Sequence, residues 1–222
     1  MKSKKFQFYG RRKGRKLSSE KQRILTHTGS KFLFSREDIP KTINSLKGRV
    51  YLEIGFGSGE NLINFSLKHP DYNFIGAEPY VNSYITTLKN IYRYKINNIQ
   101  IFPDDVRLIL NNFKKCLFSG IILLHPDPWP KNKHIKRRII QQDFISALYK
   151  ILKKNGIIMI SSDHVIMKSW ILEQFHIRDD FLWMVNNLNK TYNTPKCIIE
   201  SKYFKKSKIM NNRVNWFFFK KK

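Results

Sequence analysis

The feature that most constrains this chain is an alternation, from Val50 onward, of short apolar runs with helix-length segments. Strands separated by helices in this way predict right-handed βαβ units and a parallel sheet flanked by helices. The sequence therefore predicts an α/β fold. Its first five strands are expected at Val50–Ile54, Asn73–Ala77, Ile99–Phe102, Gly120–Leu124 and Ile157–Ile160.

Helices are expected between these strands, and two further strands after them. The later strands, Phe181–Val185 and Val214–Phe219, have the weaker patterns. At 222 residues the chain has the length of one α/β domain, which we place at 20–222. The predicted helices are Glu37–Leu46, Glu60–Lys68, Tyr80–Tyr94, Val106–Lys115, Lys136–Lys153 and His164–His176.

The charge balance of the chain predicts a polyanionic partner. There are 42 Lys and Arg against 16 Asp and Glu, a net charge of +26. Codon bias in an AT-rich genome would account for part of the lysine excess, but not for paired arginines, which are typical of phosphate contacts. Residues 1–19 form a basic arm with no acid before Glu20, and we expect this arm to be flexible in the free protein.

Several classes of protein are not favoured by the sequence. Cys116 and Cys197 lie far apart without any zinc-binding or disulfide-type spacing, so we predict no metal site. The basic N-terminus lacks the apolar stretch of a signal peptide, and no run approaches the ~18 apolar residues of a membrane span. We therefore expect a cytoplasmic protein that does not bind membranes.

A glycine-rich turn follows the first predicted strand and indicates a ligand site. The sequence from Glu53 reads Glu-Ile-Gly-Phe-Gly-Ser-Gly, which brings a ligand close to backbone amides at a helix N-terminus. A dinucleotide fingerprint would instead read Gly-x-Gly-x-x-Gly. Glu53 would also repel a pyrophosphate, whereas it would attract a cationic amino-acid group. We predict that Gly55 and Gly57 form the turn.

Two more acids follow the next strands. Glu78 is placed to accept hydrogen bonds from ribose hydroxyls, and Asp105 to reach an adenine amino group, with Asp104 as a rival. Any one of these acids alone could equally cap a helix or lie in solvent. Three acids at successive strand ends favour a nucleoside site, and the expected ligand is S-adenosylmethionine.

The fourth strand leads into His125-Pro-Asp-Pro-Trp-Pro-Lys131, a rigid segment suited to a base-binding wall. Asp127 is placed to accept hydrogen bonds from the N1–H and N2 amino edge of guanine. The basic run that follows places cations at a predicted helix N-terminus, against the helix dipole, which favours phosphate contacts. The predicted phosphate contacts are Arg11, Arg12, Lys133, Lys136, Arg137 and Arg138.

The sequence resembles the tRNA (guanine-N7)-methyltransferase family in the arm RRKGRK, EIGFGSGE at 53–60, GAEPY at 76–80, PDPWPKNKHIKRR at 126–138 and SSDH at 161–164. The resemblance implies a class I Rossmann-like methyltransferase, with a mostly parallel seven-stranded sheet whose last strand is antiparallel. It implies methylation of the tRNA guanine at position 46 and cofactor contacts at Glu53, Glu78, Asp105 and Asp127, with Asp127 catalytic. It also implies substrate contacts at Lys131, Asp163, Ser201, Lys202 and Tyr203.

The chain departs from the family at Phe204, where the family's Thr-Arg/Lys-Tyr/Phe-Glu element carries an acid. Two alternatives stay open at this point. One is a class I RNA methyltransferase that acts on an exocyclic amine, whose Asp/Asn-Pro-Pro-Tyr/Trp signature resembles Asp127-Pro128-Trp129. The other is a tRNA-binding relative that has lost catalysis. No obligatory protein partner is expected.

Overall fold

A computed structural model describes residues 7–14, 16–185 and 188–222, apart from the side chains at 188, 202 and 203. The predicted strands form one seven-stranded sheet. Its strands are β1 (Val50–Ile54), β2 (Asn73–Ala77), β3 (Ile99–Phe102), β4 (Phe118–Leu124), β5 (Leu152–Ser162), β6 (Phe181–Trp183) and β7 (Asn215–Lys221).

The strand order is β3-β2-β1-β4-β5-β7-β6. The first five strands pair in parallel, and β7 runs antiparallel to both β5 and β6. The predicted class I methyltransferase topology, with an antiparallel last strand, is confirmed. The order reverses between β1 and β4, so the crevice at their carboxyl ends is where a ligand of an open α/β sheet binds.

Helices cover both faces of this sheet. They are α1 (Ser19–His27), α2 (Gly29–Phe32), α3 (Ile39–Ser45), α4 (Glu60–Lys68), α5 (Val81–Arg93), α6 (Gln142–Ile151), α7 (Val165–His176) and α8 (Lys202–Ile209). Alternate strand residues enter two separate apolar clusters. Ile75 of β2 packs in the cluster that holds α6 and α7, while its neighbour Phe74 packs in the one that holds α4 and α5. This period of two is that of strands buried on both faces.

The predicted helix Val106–Lys115 is wrong. Two short 3₁₀ turns, Val106–Leu108 and Leu110–Asn112, take its place. Ile109 between them has φ −122°, which interrupts a continuous α-helix. Because side chains three apart share one face of a 3₁₀ turn, Val106 and Ile109 are both buried here.

The long helix predicted at Lys136–Lys153 is shorter than expected. A 3₁₀ segment, Asn132–Arg137, comes first, and α6 then runs only from Gln142 to Ile151. Arg138 has an extended backbone, which separates the two, and Leu152 already pairs with Phe118 as part of β5. Helices α1 and α2 were not predicted. Helix α1 has no fully buried residue and packs on the core only through the partly buried Ile24 and Leu25, and α2 is only four residues long.

Within the described part of the chain, no helix combines the length and apolarity that a bilayer span requires. Cys116 and Cys197 are both free thiols.

One packing contact gives a test of the fold. Gly59 has φ +77° before α4, and a Cβ placed there would collide with the Thr87 side chain of α5. We expect Gly59→Ala to lower the free energy of unfolding by about 2–4 kcal/mol, from left-handed strain plus the clash. In a Thr87→Ala background the loss should fall to about 1 kcal/mol, because only the strain remains. Urea unfolding of the four proteins would measure this, and equal losses in both backgrounds would contradict the clash.

Candidate active site

A cavity of about 500 Å³ opens at the carboxyl ends of β1, β2 and β4. It lies at the point where the strand order reverses. The residues predicted as site residues that line this one cavity are Glu53, Gly55, Gly57, Glu78, Asp105, Asp127, Arg11, Arg137 and Ser201.

Glu53 is the most buried acid of the site, with only 3% of its surface exposed. It lies in β1 opposite Gly76 and Ile122 of the flanking strands. Its Oε2 atom is buried and has no hydrogen-bond partner. Burial, together with the nearby charges of Glu60 and Glu78, raises the pKa of Glu53 to about 8. An unpartnered buried carboxylate beside a cavity is suited to a cationic ligand.

The glycine turn and Glu78 form the next part of the wall. Gly55 has φ +68°, and a Cβ at Gly55 would meet no atom within 4 Å, so a ligand can approach its backbone closely. Glu78 is held from both sides, because Gly57 N donates to Oε2 and Tyr80 N donates to Oε1, each at 2.9 Å. Burial raises the pKa of Glu78, although these two hydrogen bonds oppose the shift.

Asp105 lies at the cavity with its carboxylate already engaged. It accepts from the backbone N–H of Arg107 at 2.9 Å and from the Arg107 guanidinium through both oxygens. A ligand amino group would therefore share this carboxylate with Arg107. Its neighbour Asp104 forms an ion pair with Arg12 of the N-terminal arm, so Arg12, predicted to contact phosphate, faces an acid instead.

The loop that carries Asp127 is bent and strongly braced. His125 and Trp129 both have left-handed backbones, with φ of 49° and 41°. Asp127 is exposed to the cavity between them, and the surrounding protein still raises its pKa through desolvation. Arg138 braces the loop by donating to Pro128 O at 3.1 Å and to Trp129 O at 3.3 Å. Strain held by such supports is common at functional sites.

Arg138 was predicted to contact RNA phosphate, and the structure does not support this. Only 4% of its surface is exposed, and its guanidinium stacks on Trp170 in addition to binding the loop carbonyls. It therefore supports the site from within. Sequence position alone could not separate it from its neighbour Arg137, which lines the cavity.

The N-terminal arm reaches the cavity mouth. Phe8, Gly10 and Arg11 line the cavity. The Arg137 guanidinium lies 4.6 Å from the Tyr9 ring and 5.0 Å from the Trp129 ring. The arm residues Lys2, Lys4, Lys5 and Arg15 lie outside the described residues.

Asp163, predicted to contact substrate, is held by protein side chains. Ser207 Oγ donates to Oδ2 at 2.6 Å, and His125 Nδ1 lies 3.5 Å from Oδ1. Burial disfavours the charged carboxylate, but these partners together lower the pKa of Asp163. Asp163 is not among the residues that line the cavity, whereas His125 is.

The C-terminal segment enters the site through Ser201. Its side chain accepts from Phe204 N at 3.3 Å and so caps α8. Phe204, which replaces the family's acid, is 6% exposed and packs against Trp216, so this position now belongs to the core. The side chains of Lys202 and Tyr203 lie outside the described residues.

The remaining predicted cations form a surface beside the cavity. Lys131, Lys133 and Lys136 are all exposed and do not line it. They precede or lie in the 3₁₀ segment Asn132–Arg137.

Sequence reasoning missed several polar residues at the cavity, among them Glu60, Arg107 and His125. Glu60 ends the EIGFGSGE motif, and His125 directly precedes the proline-rich block. Their positions beside these motifs could have identified both as site residues. Arg107 carried no such signal, because it was assigned to a helix that does not form.

Comparison with solved structures agrees with this fold. An antibiotic-related methyltransferase superposes with a TM-score of 0.52 at 17% identity, covering 85% of this chain and 94% of that one. A precorrin-6y C5,15-methyltransferase from Geobacter metallireducens gives a TM-score of 0.53 at 16% identity, covering 84% and 87%. The fold is that of the class I methyltransferases.

Sequence comparison narrows this class. A family model described as "Putative methyltransferase" matches residues 47–216. A tRNA (guanine-N(7)-)-methyltransferase from Rhizobium johnstonii is 35% identical over 185 residues, covering 81% of this chain and 79% of the relative. The chain belongs to the tRNA (guanine-N7)-methyltransferase family. It is also 42% identical, over 155 residues and 70% of its length, to a bifunctional methyltransferase of Rickettsia prowazekii, of which it spans only 29%.

The buried carboxylate of Glu53 predicts a pH-dependent stability. Because the pKa of Glu53 is raised from 4.5 to about 8, the folded ligand-free protein keeps a proton that the unfolded chain loses. Its contribution to the free energy of unfolding therefore falls as pH rises from about 4.5 to 8, by up to about 5 kcal/mol. Glu53→Gln should match the wild type at pH 5 and exceed it at pH 8.5, as measured by urea unfolding. Parallel pH profiles for the two proteins would exclude this assignment.

Proposed function

We propose that this chain transfers a methyl group from S-adenosylmethionine to N7 of a guanine in tRNA, at variable-loop position 46, in the cytoplasm. The observation that carries the proposal is that Glu53, Glu78 and Asp127 face one cavity in a chain of net charge +26. Acids concentrated at one cavity suit a cationic cofactor. The positive charge of the rest of the protein suits a polyanionic substrate such as tRNA.

The residues present fit S-adenosylmethionine. The unpartnered Oε2 of Glu53 would accept from the ammonium of its amino-acid part. Gly55 leaves room beside its backbone, and Glu78 would hold the ribose hydroxyls. Asp105 would bind the adenine amino group beside Arg107. When bound, this cofactor supplies a methyl group activated by a positively charged sulfonium.

Asp127 is the residue that we assign to the guanine. Guanine N7 has a lone pair and no proton, so the reaction needs no general base. Positioning and electrostatics then dominate the rate. Asp127 would accept from the N1–H and N2 amino edge of the base, and its carboxylate would balance the positive charge that develops on the purine. Ser201 lies at the same cavity and would contact the substrate from α8.

The tRNA backbone would lie along the cations beside the cavity. Lys131, Lys133 and Lys136 are exposed there, and Arg11 and Arg137 reach the cavity itself. The basic arm at 1–19 would add further phosphate contacts. Because these contacts are to phosphate, they would bind tRNA with a strong salt dependence and little sequence preference.

The direct test is incubation with labelled cofactor and unmodified tRNA, followed by digestion and identification of the methylated nucleoside. The proposal expects 7-methylguanosine, and a transcript with adenosine at position 46 should not be labelled. An N-methylated exocyclic amine would assign the chain to the alternative chemistry. No labelled nucleoside, together with retained tRNA binding, would indicate a binding protein.

Replacing Asp127 tests its role in the chemistry. We expect Asp127→Ala to abolish turnover while leaving the Kd for tRNA and for cofactor within roughly tenfold, or about 1.4 kcal/mol. Single-turnover kinetics and equilibrium binding would separate these effects. Glu60→Gln, at the same cavity but not assigned to guanine, is the matched control. Normal turnover by Asp127→Ala would remove this residue from the mechanism.

Deleting the arm tests the phosphate contacts. Residues 1–16 carry eight Lys or Arg and no acid. Their removal should weaken tRNA binding and lower the slope of log Kd against log salt, because fewer counterions are released. Cofactor binding should be measured in parallel, since Phe8 and Arg11 line the cavity. If neither the tRNA affinity nor its salt slope changed, the arm would not contact tRNA.

A further inference from the structure

His125 is a polar group at the cavity to which the proposed reaction assigns no role. It directly follows β4 and has a left-handed backbone, with φ 49°. Its backbone N–H donates to the backbone carbonyl of Ser161 at 3.0 Å. Its side chain is 9% exposed, and the residue lines the cavity wall two positions before Asp127. A non-glycine residue held in this conformation at a cavity merits a functional explanation.

Asp163 determines which ring nitrogen of His125 carries hydrogen. The His125 Nδ1 atom lies 3.5 Å from Asp163 Oδ1. The other carboxylate oxygen of Asp163 accepts from Ser207 Oγ at 2.6 Å, which fixes the carboxylate in place. A carboxylate only accepts hydrogen bonds, so the nitrogen that faces it must be the protonated one.

The second nitrogen, Nε2, then carries a lone pair. Burial lowers the pKa of His125, although Asp163 opposes this shift, so the ring is neutral at pH 7. In a neutral imidazole with hydrogen on Nδ1, Nε2 is an acceptor. The same arrangement of a carboxylate behind a histidine sets the tautomer of functional histidines elsewhere. The Phe204 ring packs against the imidazole in a T-shaped arrangement, with centroids 6.5 Å apart, and helps to fix its orientation.

We propose that His125 is a specificity-determining residue that accepts a hydrogen bond from the exocyclic amino group of the target guanine, with Asp163 as the positioning residue that sets its tautomer. The inference rests on the proposed function and deepens it. The guanine edge offers three N–H hydrogens, one on N1 and two on N2. Asp127 has two oxygens for two of them, and His125 Nε2 accepts the third.

Two substitutions of His125 distinguish the roles of its two ring nitrogens. Asn at position 125 places its amide near the position of Nδ1 and supplies no acceptor at Nε2, whereas Gln can place a carbonyl near Nε2. Both tolerate the bent backbone, Asn better, so a defect confined to Asn is not a folding effect. Asp163→Asn is a second probe. With Ser207 donating to its oxygen, its NH₂ group would face His125 and reverse the tautomer.

The experiment measures kcat/KM for a tRNA with guanosine at the target position and for one with inosine, which lacks the exocyclic amino group. The wild type should prefer guanosine by at least roughly tenfold. His125→Asn and Asp163→Asn should each reduce this preference by roughly tenfold, through loss of activity on guanosine with little change on inosine. His125→Gln should retain most of it. Cofactor Kd should be unchanged, and each variant should keep a single cooperative thermal unfolding transition.

An unchanged preference in both Asn variants would overturn the assignment of His125 while leaving the methyltransferase function intact. Equal wild-type activity on guanosine and inosine would do the same. Absence of 7-methylguanosine from the wild-type reaction on guanosine would instead overturn the proposed function, and this inference with it.

Discussion

The site depends on the burial of an acidic side chain at the crevice between β1 and β4. Glu53 lies almost wholly buried within the sheet, with one carboxylate oxygen unpartnered and its pKa raised to about 8. Such burial opposes folding and is useful only if a ligand supplies the missing positive charge. Glu78 and Asp127 add to the same field, because the charge of Asp127 adds to the effect of burial in raising the pKa of Glu78. The arrangement suits a cationic ligand better than a pyrophosphate.

A second constraint is the rigidity of the loop after β4. Its prolines restrict the backbone, while His125 and Trp129 adopt left-handed conformations that are unfavourable in isolation. The buried Arg138 stabilises the loop by binding two of its carbonyls. An arginine in a strongly basic stretch therefore acts as a structural brace, and the bent loop carries Asp127 into the cavity on a fixed frame.

The two signs of charge are separated in space. Lys131, Lys133 and Lys136 remain exposed beside the cavity, while the acids line its wall. This separation fits a reaction in which a phosphate backbone is held outside and a cationic cofactor and a purine meet inside. Two of the cations that enter the wall have local partners. Arg107 binds Asp105, and the Arg137 guanidinium contacts the rings of both Tyr9 and Trp129.

Strands and most helices were predictable from sequence because their signals are local. The mainly apolar runs of β1, β2 and β3 predicted their bounds to the residue, because a strand buried on both faces is rich in apolar side chains. The segment from Val106 failed because an apolar spacing of three fits a 3₁₀ turn as well as an α-helix. Helix α1 was not predicted because it has no fully buried residue.

The acids of the site were also predictable, since strand ends in a parallel sheet meet at one edge whatever the details of packing. Sequence alone thus determined the fold class, the sheet edge and the acids at it. Only the tertiary structure decided which of the charged residues reach the cavity and which bind other protein groups. It buried Arg138 and left Arg137 at the cavity, and it turned Asp163 toward His125 and Ser207. These outcomes depend on contacts between residues distant in the chain, and no local pattern records them.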